Sequence, residues 1–376
     1  MKIAVLTVHR APSCGAMLQA WALKTVLQRM GHVVEFPDCN HINCRGRTKP
    51  YLTDPRLRGL KRLRSDWKNF LRNLGSNGIF GPAMAGYEDF CRRNLPERQT
   101  VPADFARHYD LVVVGSDQIW NEDIMKEDTA LFLGETLPEG LRVISYAASI
   151  GDVRPSDEKL ARIRRAMRRF AAIGVREQSA VELLADACPQ PPKVTLDPTL
   201  LLTASDYAPI AASVHPREPY LYCYSLFYSE EMWQRTRSLA KRLSLLPVYT
   251  PLHQYTRHRM PRGLTYGVSP DQLVDFVSHA QGVITDSFHG TVFSVLHGKP
   301  FVSISHAPNR EVSRQGMLLG ALGGSEWLAG PDITDDVAVQ RLSQSLPAAF
   351  EPRLAALRAE SLGWLSAAVE GRVREP

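Results

Sequence analysis

Apolar residues along the chain fall into two alternating patterns, which are short, nearly continuous runs and longer stretches with helical spacing. Lys2–Val8 and Pro219–Phe227 are almost continuously apolar, which is typical of buried strands in a parallel sheet. Ala16–Met30 instead places apolar residues three and four positions apart, and Gly31 follows as a stop signal, so this stretch predicts a helix. A second strand pattern at Val33–Phe36 completes a βαβ unit.

Repetition of this unit predicts an α/β fold. The alternation restarts after residue 205, so we expect two Rossmann-like domains facing across a cleft, the GT-B-like architecture of many glycosyltransferases. The expected N-terminal domain covers residues 1–204 and the expected C-terminal domain covers 205–350. A helix in 351–376 is expected to pack back on the first domain. No G-x-G-x-x-G follows the first strand, which argues against a dinucleotide ligand.

The clearest junction between a strand and a helix is the stretch Val283–Ser294. A β-branched run at Gly282–Thr285 leads directly into helical spacing. Open α/β sheets bind ligands at the carboxyl ends of their strands, and the free N–H groups of a helix start face such a ligand. We therefore expect a ligand site lined by the polar residues and N–H donors of this junction, which are Asp286, Ser287, His289, Gly290 and Thr291.

His289 admits two interpretations. An imidazole normally has a pKa near neutrality, so at a ligand-binding edge it suits proton transfer. A histidine at this position also fits a buried core residue or a residue that supports the helix cap. The junction by itself favours neither interpretation.

Polar clusters also follow four other predicted strands. They lie near residues 9–15, 116–121, 145–151 and 176–179. Because the carboxyl ends of parallel strands meet at one edge of a sheet, these clusters are expected to converge on a surface of the size of a binding site.

Composition excludes several classes of protein. The chain has 376 residues, of which 44% are hydrophobic and 22% charged, and no run of about 18 apolar residues exists. The N-terminus enters a strand pattern without a cleavable signal, so we expect a soluble, cytoplasmic protein. The six cysteines are scattered without a C-x-x-C pair, which predicts reduced thiols and no metal site.

The net charge of +6 is concentrated in two clusters, the segment 45–72 and a second cluster formed by Arg162, Arg164, Arg165, Arg168 and Arg169, which is most simply a solvated face. Between Arg45 and Arg72, ten Lys or Arg residues stand against two Asp residues. Such a patch suits anionic partners, and no nucleic-acid-binding motif accompanies it, so we expect no nucleic-acid partner. Arg56–Leu74 could form a basic amphipathic helix that lies over the domain or against a membrane surface.

Six stretches, in order and at matching spacing, resemble the polysaccharide pyruvyl transferase family. Ser-Cys-Gly-Ala-Met-Leu-Gln-Ala at 13–20 is similar to the family's Asn-Tyr-Gly-Ala-x-Leu-Gln-Ala, and Ile-Thr-Asp-Ser-Phe-His-Gly-Thr at 284–291 also matches. Ser287 and Phe288 stand where the best-known ketal-forming members carry Arg-Leu, which indicates a divergent Ser-Phe-His-Gly branch. The remaining matches are Val-Gly-Ser-Asp-Gln-Ile-Trp-Asn at 114–121, Ser-Tyr-Ala-Ala-Ser-Ile-Gly at 145–151, Val-Arg-Glu-Gln-Ser at 175–179 and Leu-Asp-Pro-Thr-Leu-Leu at 196–201.

The resemblance implies an enzyme that moves the pyruvyl group of phosphoenolpyruvate onto two hydroxyls of a sugar. The product is a cyclic ketal on a polysaccharide of the bacterial cell envelope, and phosphate is released. Phosphoenolpyruvate is then a co-substrate and no cofactor is expected. The acceptor is a glycan or a lipid-linked sugar bound on the N-terminal side, and a lipid-linked acceptor would bring the protein to the inner face of the cytoplasmic membrane.

The resemblance also implies roles for individual residues. His289 is expected to act as the acid–base catalyst, and Arg176 to bind the donor, although Arg176 also fits an ion pair with nearby acids. Chain position alone, and not the resemblance, suggests that Arg310 or Arg314 supplies the cation missing at position 287, and both residues also fit surface ion pairs. The expected substrate-binding residues are Ser287, Gly290, Thr291, Arg310, Arg314, Ser116, Asp117, Gln118 and Gly15.

Two further functions stay open at this point. A glycosyltransferase of the same two-domain architecture would use a nucleotide-sugar donor and leave phosphoenolpyruvate untouched. A non-catalytic member of the fold would bind a glycan or a partner protein and turn over neither donor.

Overall fold

The computed structural model describes residues 1–39, 59–60, 63–64, 67, 80–151, 154–188, 190–253, 268–307 and 309–373. Most of the basic segment 45–72, including most of the helix expected over 56–74, lies outside these residues, as does most of the polar loop expected over 251–263. In the described part of the chain, no helix combines the length and the apolar character needed to cross a bilayer.

The N-terminal half folds around a sheet of seven parallel strands. Their spatial order is β3-β2-β1-β4-β5-β6-β7, so the chain starts in the middle and moves outward in both directions. The strands are β1 (Lys2–Leu6), β2 (Val33–Asp38), β3 (Glu97–Gln99), β4 (Leu111–Val114), β5 (Arg142–Ala148), β6 (Ala172–Val175) and β7 (Lys193–Val194).

The C-terminal half folds around a second parallel sheet of five strands. Their order is β12-β11-β10-β8-β9, which places the predicted Gly282–Thr285 strand at the centre. The strands are β8 (Tyr220–Phe227), β9 (Leu246–His253), β10 (Gly282–Thr285), β11 (Phe301–Ile304) and β12 (Leu328–Ala329).

Helices cover both sheets. In the first half they are α1 (Cys14–Arg29), α2 (Phe80–Asn94), α3 (Phe105–His108), α4 (Glu122–Met125), α5 (Thr129–Phe132), α6 (Asp157–Met167), α7 (Gln178–Leu184) and α8 (Ala204–Tyr207). In the second half they are α9 (Glu230–Arg242), α10 (Pro270–His279), α11 (Phe288–Leu296), α12 (Arg314–Leu322), α13 (Asp335–Leu342) and α14 (Phe350–Glu370).

Alternate residues of the central strands enter different apolar clusters. On β1, Ile3 and Val5 join a cluster on one face of the sheet, whereas Ala4 and Leu6 join a cluster on the other face. The first cluster continues into the second sheet through Tyr222, so one apolar core lies between the sheets. Two Rossmann-like units that face one another in this way form the GT-B-like α/β fold, and the predicted fold class is confirmed.

Two parts of the structure differ from what the sequence pattern favours. Gly75, Gly78, Gly81 and Pro82 favour irregular structure over residues 40–100, yet α2 forms at Phe80–Asn94 and places Pro82 in its first turn, where the missing N–H costs no helical hydrogen bond. The helical pattern of the sequence starts at Asn309, but Ser313 caps α12 and the helix begins at Arg314. Arg310 therefore lies in a loop and not one helical turn before Arg314.

The final helix contacts both halves of the chain. Arg142 of β5 donates to the carbonyl oxygens of Ala368 and Val369, and Arg358 donates to the carbonyl of Leu200 at 2.8 Å. Arg353 donates to the carbonyl of Leu322 at 2.9 Å. Hydrogen bonds from α14 thus reach the first sheet, the connection between the halves, and α12.

Candidate active site

The junction of β10 and α11 is held by Thr285. Its hydroxyl donates to the carbonyl of Tyr224 at 2.6 Å and accepts from the backbone N–H of Ser287 at 3.0 Å. A Cβ at Gly290 would lie 2.1 Å from Thr285 Oγ1, so only glycine fits there. This packing brings Ser287 and His289 to the carboxyl edge of the second sheet.

A cavity of about 260 Å³ opens at this edge, between the two sheets. The first domain contributes Ser13, Gly15 and Asp117 to its wall. The second domain contributes Tyr224, Leu226, Asp286, Ser287, Phe288, His289, Ser305, His306, Ala307, Ser313, Arg314 and Gln315.

Three helices begin at this cavity, and each has a serine at its N-cap. Ser13 caps α1, Ser287 caps α11 and Ser313 caps α12, and all three line the cavity. The first N–H groups of a helix have no partner within the helix and carry the positive end of its dipole. The Ser287 hydroxyl makes no cap hydrogen bond of its own, unlike the other two. The arrangement favours anionic groups in the cavity.

His289 faces a buried carboxylate from the other domain. Its Nε2 lies 3.8 Å from Asp197 Oδ2, and Asp197 in turn lies 2.9 Å from Arg176 Nη2. Burial is the largest influence on the pKa of His289 and lowers it, although Asp197 opposes that effect. Burial would raise the pKa of Asp197, yet Arg176 and His289 hold it below its ordinary value. The free site therefore combines a neutral imidazole with an ionised carboxylate.

The cavity also contains a cation on α12. Arg314 lines the wall, and the side-chain amide of Gln118 lies 3.0 and 3.2 Å from its Nη2 and Nη1 atoms, an arrangement in which the amide oxygen accepts. Arg314 thereby connects the second domain to the loop after β4. Asp117, next in that loop, also lines the cavity.

Several residues expected from the sequence do line the cavity together. They are Gly15, Asp117, Ser287, His289 and Arg314, and Gln118 reaches the cavity through Arg314. A Cβ at Gly15 would lie 2.0 Å from His289 Nδ1, so α1 packs directly against the imidazole.

Other expected residues lie outside the cavity wall. Arg176 is 7% exposed, pairs with Asp197 and donates a hydrogen bond to the Ser116 hydroxyl at 2.5 Å. Neither Arg176 nor Ser116 therefore faces the cavity. The N–H of Thr291 donates to the carbonyl of Ser287 at 3.1 Å and is not turned toward a ligand. Gly290 packs on Thr285 and Arg310 pairs with Asp332 at 3.0 Å. These five residues are therefore not part of the described cavity wall, and their contact with substrate stays a prediction.

The structure adds residues that the sequence did not single out. Asp197 lay within the Leu-Asp-Pro-Thr stretch, but only folding brings it against His289. Tyr224 and Ser313 also line the cavity. Asp286, which the sequence did place at this edge, lines the cavity as expected; His306 lies 3.9 Å from its carboxylate, and burial raises the pKa of Asp286.

A histidine–aspartate group elsewhere has the residue types of a metal site. Among the described residues, His215, Asp275 and His279 each place one donor atom within 4.8 Å of the others. Their two imidazole rings are stacked at 3.6 Å with an interplanar angle of 9°. The Nδ1 atoms of the two rings lie 2.7 and 3.1 Å from Asp275 Oδ1, so the carboxylate itself is the partner of both imidazoles. Asp275 Oδ2 accepts the backbone N–H groups of Val214 and His215, so the group ties the interdomain connection to α10.

Comparison with known proteins places this geometry in context. A family model described as polysaccharide pyruvyl transferase matches residues 14–308 of the chain. No curated protein matches it. Similar solved structures include spinosyn rhamnosyltransferase SpnG complexed with spinosyn aglycone, which is 12% identical over 98% of this chain and 100% of that chain, with a TM-score of 0.44. UDP-GlcNAc 2-epimerase from Neisseria meningitidis bound to UDP-GlcNAc is 11% identical over 98% of this chain and 99% of that chain, with a TM-score of 0.48.

Proposed function

The chain belongs to the polysaccharide pyruvyl transferase family, and from that premise we propose that it transfers the pyruvyl group of phosphoenolpyruvate to two hydroxyls of an envelope glycan precursor. The product is a cyclic ketal, and phosphate is the leaving group. Phosphoenolpyruvate carries a carboxylate and a phosphate, so its site must neutralise two anionic groups beside a group that moves protons.

One observation carries this proposal. Three helix N-termini and the Arg314 guanidinium meet in the cavity that also holds His289. Helix N-termini and arginine both bind phosphate and carboxylate groups, and arginine does so through two parallel hydrogen bonds. The phosphates of a nucleotide-sugar donor would also need helix N-termini and an arginine. Transfer from such a donor, however, includes no step in which His289 would deliver a proton to carbon.

The reaction must balance two protons. C3 of phosphoenolpyruvate gains one proton, which makes C2 electrophilic, and the departing phosphate gains another. The two sugar hydroxyls that bond to C2 each lose one proton. A neutral His289 is suited to accept a hydroxyl proton and return it to C3 or to phosphate. Asp286, whose pKa is raised by burial, lies in the same wall and is suited to the second transfer.

In this proposal Arg176 acts through Asp197. The guanidinium keeps the buried carboxylate ionised, and the carboxylate faces His289 from the opposite domain. A carboxylate in this position stabilises, through its charge, the imidazolium that forms during transfer. Asp117, on the first domain, is placed to accept hydrogen bonds from the acceptor sugar.

The test is release of phosphate from phosphoenolpyruvate in the presence of a glycan-precursor extract. We expect His289→Ala to lower the rate by about 10²–10⁴-fold, the usual contribution of a positioned acid–base group. Calorimetric titration of the wild-type protein with phosphoenolpyruvate and with UDP-GlcNAc separates the donors. Binding of UDP-GlcNAc alone would overturn the pyruvyl assignment in favour of a glycosyltransferase, and binding of neither would favour a non-catalytic protein.

We also propose that the protein works at the cytoplasmic face of the membrane on a lipid-linked acceptor. Leu60, Leu63 and Trp67 are 76%, 67% and 63% exposed, and their spacing by three and four residues is that of one helix face. The sequence surrounds them with lysine and arginine, a combination typical of surfaces that bind anionic lipid.

Vesicle sedimentation tests this location. Lys61→Glu with Arg62→Glu should abolish binding to vesicles that contain anionic lipid. Arg165→Glu with Arg168→Glu, at the C-terminal end of α6, is the matched control and should leave vesicle binding intact. Equal sedimentation of both variants would contradict the proposal.

A further inference from the structure

The ring of Phe288 lies between two guanidinium groups that come from different parts of the fold. Arg176 Cζ is 5.5 Å and Arg314 Cζ is 5.7 Å from the ring centroid. Both distances lie within the range in which an aromatic face attracts a cation. Phe288 itself is only 8% exposed, so water does not compete strongly for these contacts.

The two arginines differ in what else they contact. Arg176 is paired with Asp197 and does not line the cavity. Arg314 lines the cavity and is the one lysine or arginine among its described wall residues. The ring of Phe288 therefore contacts one arginine that is paired with a buried carboxylate and one arginine that lines the cavity.

We propose that Phe288 is a positioning residue that holds Arg314 where it binds the anionic end of the donor. This inference rests on the proposed function. Position 287, at the strand-to-helix junction itself, is a serine, and the cation arrives from the start of α12.

Local packing explains why an aromatic ring is needed at position 288. Arg314 is the first residue of α12, so its long side chain leaves the helix start without support from a preceding turn. The Gln118 amide holds the guanidinium nitrogens from the first domain, and the Phe288 ring covers its face. A leucine at 288 would fill space but would offer no π face to the cation.

Binding of phosphoenolpyruvate and of inorganic phosphate, measured by calorimetry, tests the pair. Arg314→Ala should weaken both by at least about tenfold, which is the loss of a charge-assisted hydrogen bond. Phe288→Leu should weaken both by about fivefold, and Phe288→Tyr should retain wild-type affinity because it keeps the ring. Arg310→Ala is the matched control, since Arg310 lies four residues away and pairs with Asp332 at the surface.

Thermal unfolding of each variant separates misfolding from lost affinity.

The outcomes distinguish this inference from the proposed function. If the wild-type protein binds neither phosphoenolpyruvate nor phosphate, the proposed function fails. If it binds both while Phe288→Leu binds as tightly as Phe288→Tyr, or if Arg310→Ala weakens binding as much as Arg314→Ala, the proposed function stands and the inference is overturned.

Discussion

The imidazole of His289 is placed in an environment that disfavours its charged form. It is buried at the domain junction, with Gly15 against one side of the ring and Asp197 3.8 Å from Nε2. A distance of 3.8 Å is longer than a hydrogen bond, so the carboxylate acts on the imidazole through its charge. Burial therefore favours the neutral imidazole in the folded protein, which is the form that the proposed acid–base role requires.

Because burial lowers the pKa of His289, stability should depend on pH through this residue. Above its unfolded pKa near 6.5 both states are neutral and it contributes nothing. As the pH falls from 6.5, the unfolded chain binds a proton that the folded protein does not, so the folded state loses up to about 1.4 kcal/mol per pH unit. We expect chemical denaturation to show a smaller decrease in stability between pH 6.5 and 5 for His289→Gln than for wild type. Parallel curves would contradict this.

Asp197 should matter for stability as well as for activity. In Asp197→Asn the buried Arg176 loses its ion pair, and removal of one partner from a buried pair costs about 3–5 kcal/mol. Asp336→Asn is a suitable control, because Asp336 is 87% exposed in its pair with Arg242 and surface pairs contribute about 1 kcal/mol or less. The measurement is the free energy of unfolding of the two variants. Equal losses would mean that the Asp197–Arg176 pair stabilises the protein no more than a surface ion pair does.

At the scale of secondary structure, the first turn of α1 is shaped by a residue of the other domain. Gly15 is the second residue of α1, and an added Cβ would lie 2.0, 2.4 and 2.5 Å from three atoms of the His289 ring. The ring is buried and has little space in which to move. A glycine in this turn is thus required by the site and not by the helix.

We expect Gly15→Ala to displace His289 and to lower the rate of phosphate release by about 100-fold, the order of loss that a shift of about 1 Å can cause. Gly363→Ala, in the interior of α14, is the matched control. Nothing lies within 4 Å of a Cβ there, so this variant should keep full activity and gain about 0.5–1 kcal/mol of stability. Full activity in Gly15→Ala would show that α1 does not fix the imidazole.

Elements with strong apolar periodicity could be predicted from the sequence. The β10 strand has the expected bounds, and Ser156 and Ser269 cap α6 and α10 as their patterns indicate. The helix α2 was missed because its glycine and proline lie in the first turn, where local rules for breakers do not apply. The site was predictable only in part. His289 follows a recognisable strand, whereas Asp197 and Phe288 acquire their roles from contacts between distant segments.

At the scale of the whole molecule, a single apolar cluster joins the two domains. It includes Val5 and Ile144 of the first sheet, Tyr222 and Val283 of the second, and Leu365 of α14. The site residues are divided in the same way, with Asp197 and Gly15 on one side and His289 on the other. The relative position of the domains therefore decides whether His289 meets Gly15 and Asp197.

Trp364 of α14 should be one of the residues that fixes this position. A Cβ at Gly174 would lie 2.8 Å from the Trp364 ring, and the Tyr146 ring centroid is 6.2 Å away, so the indole packs directly on the first sheet. Its removal leaves a cavity beneath a helix that also bonds to α12, and we expect Trp364→Ala to cost about 2–4 kcal/mol, somewhat less than a fully buried tryptophan. Glu360 lies on the same helix as Trp364 and makes a surface pair with Lys193 of β7. Glu360→Ala should change the free energy of unfolding by no more than about 0.5 kcal/mol. Urea denaturation of the two variants measures the difference. An unchanged midpoint in Trp364→Ala would mean that α14 lies on the first domain without stabilising it. A large loss of stability would show that the packing of the two domains that carry the candidate site depends on a helix outside that site.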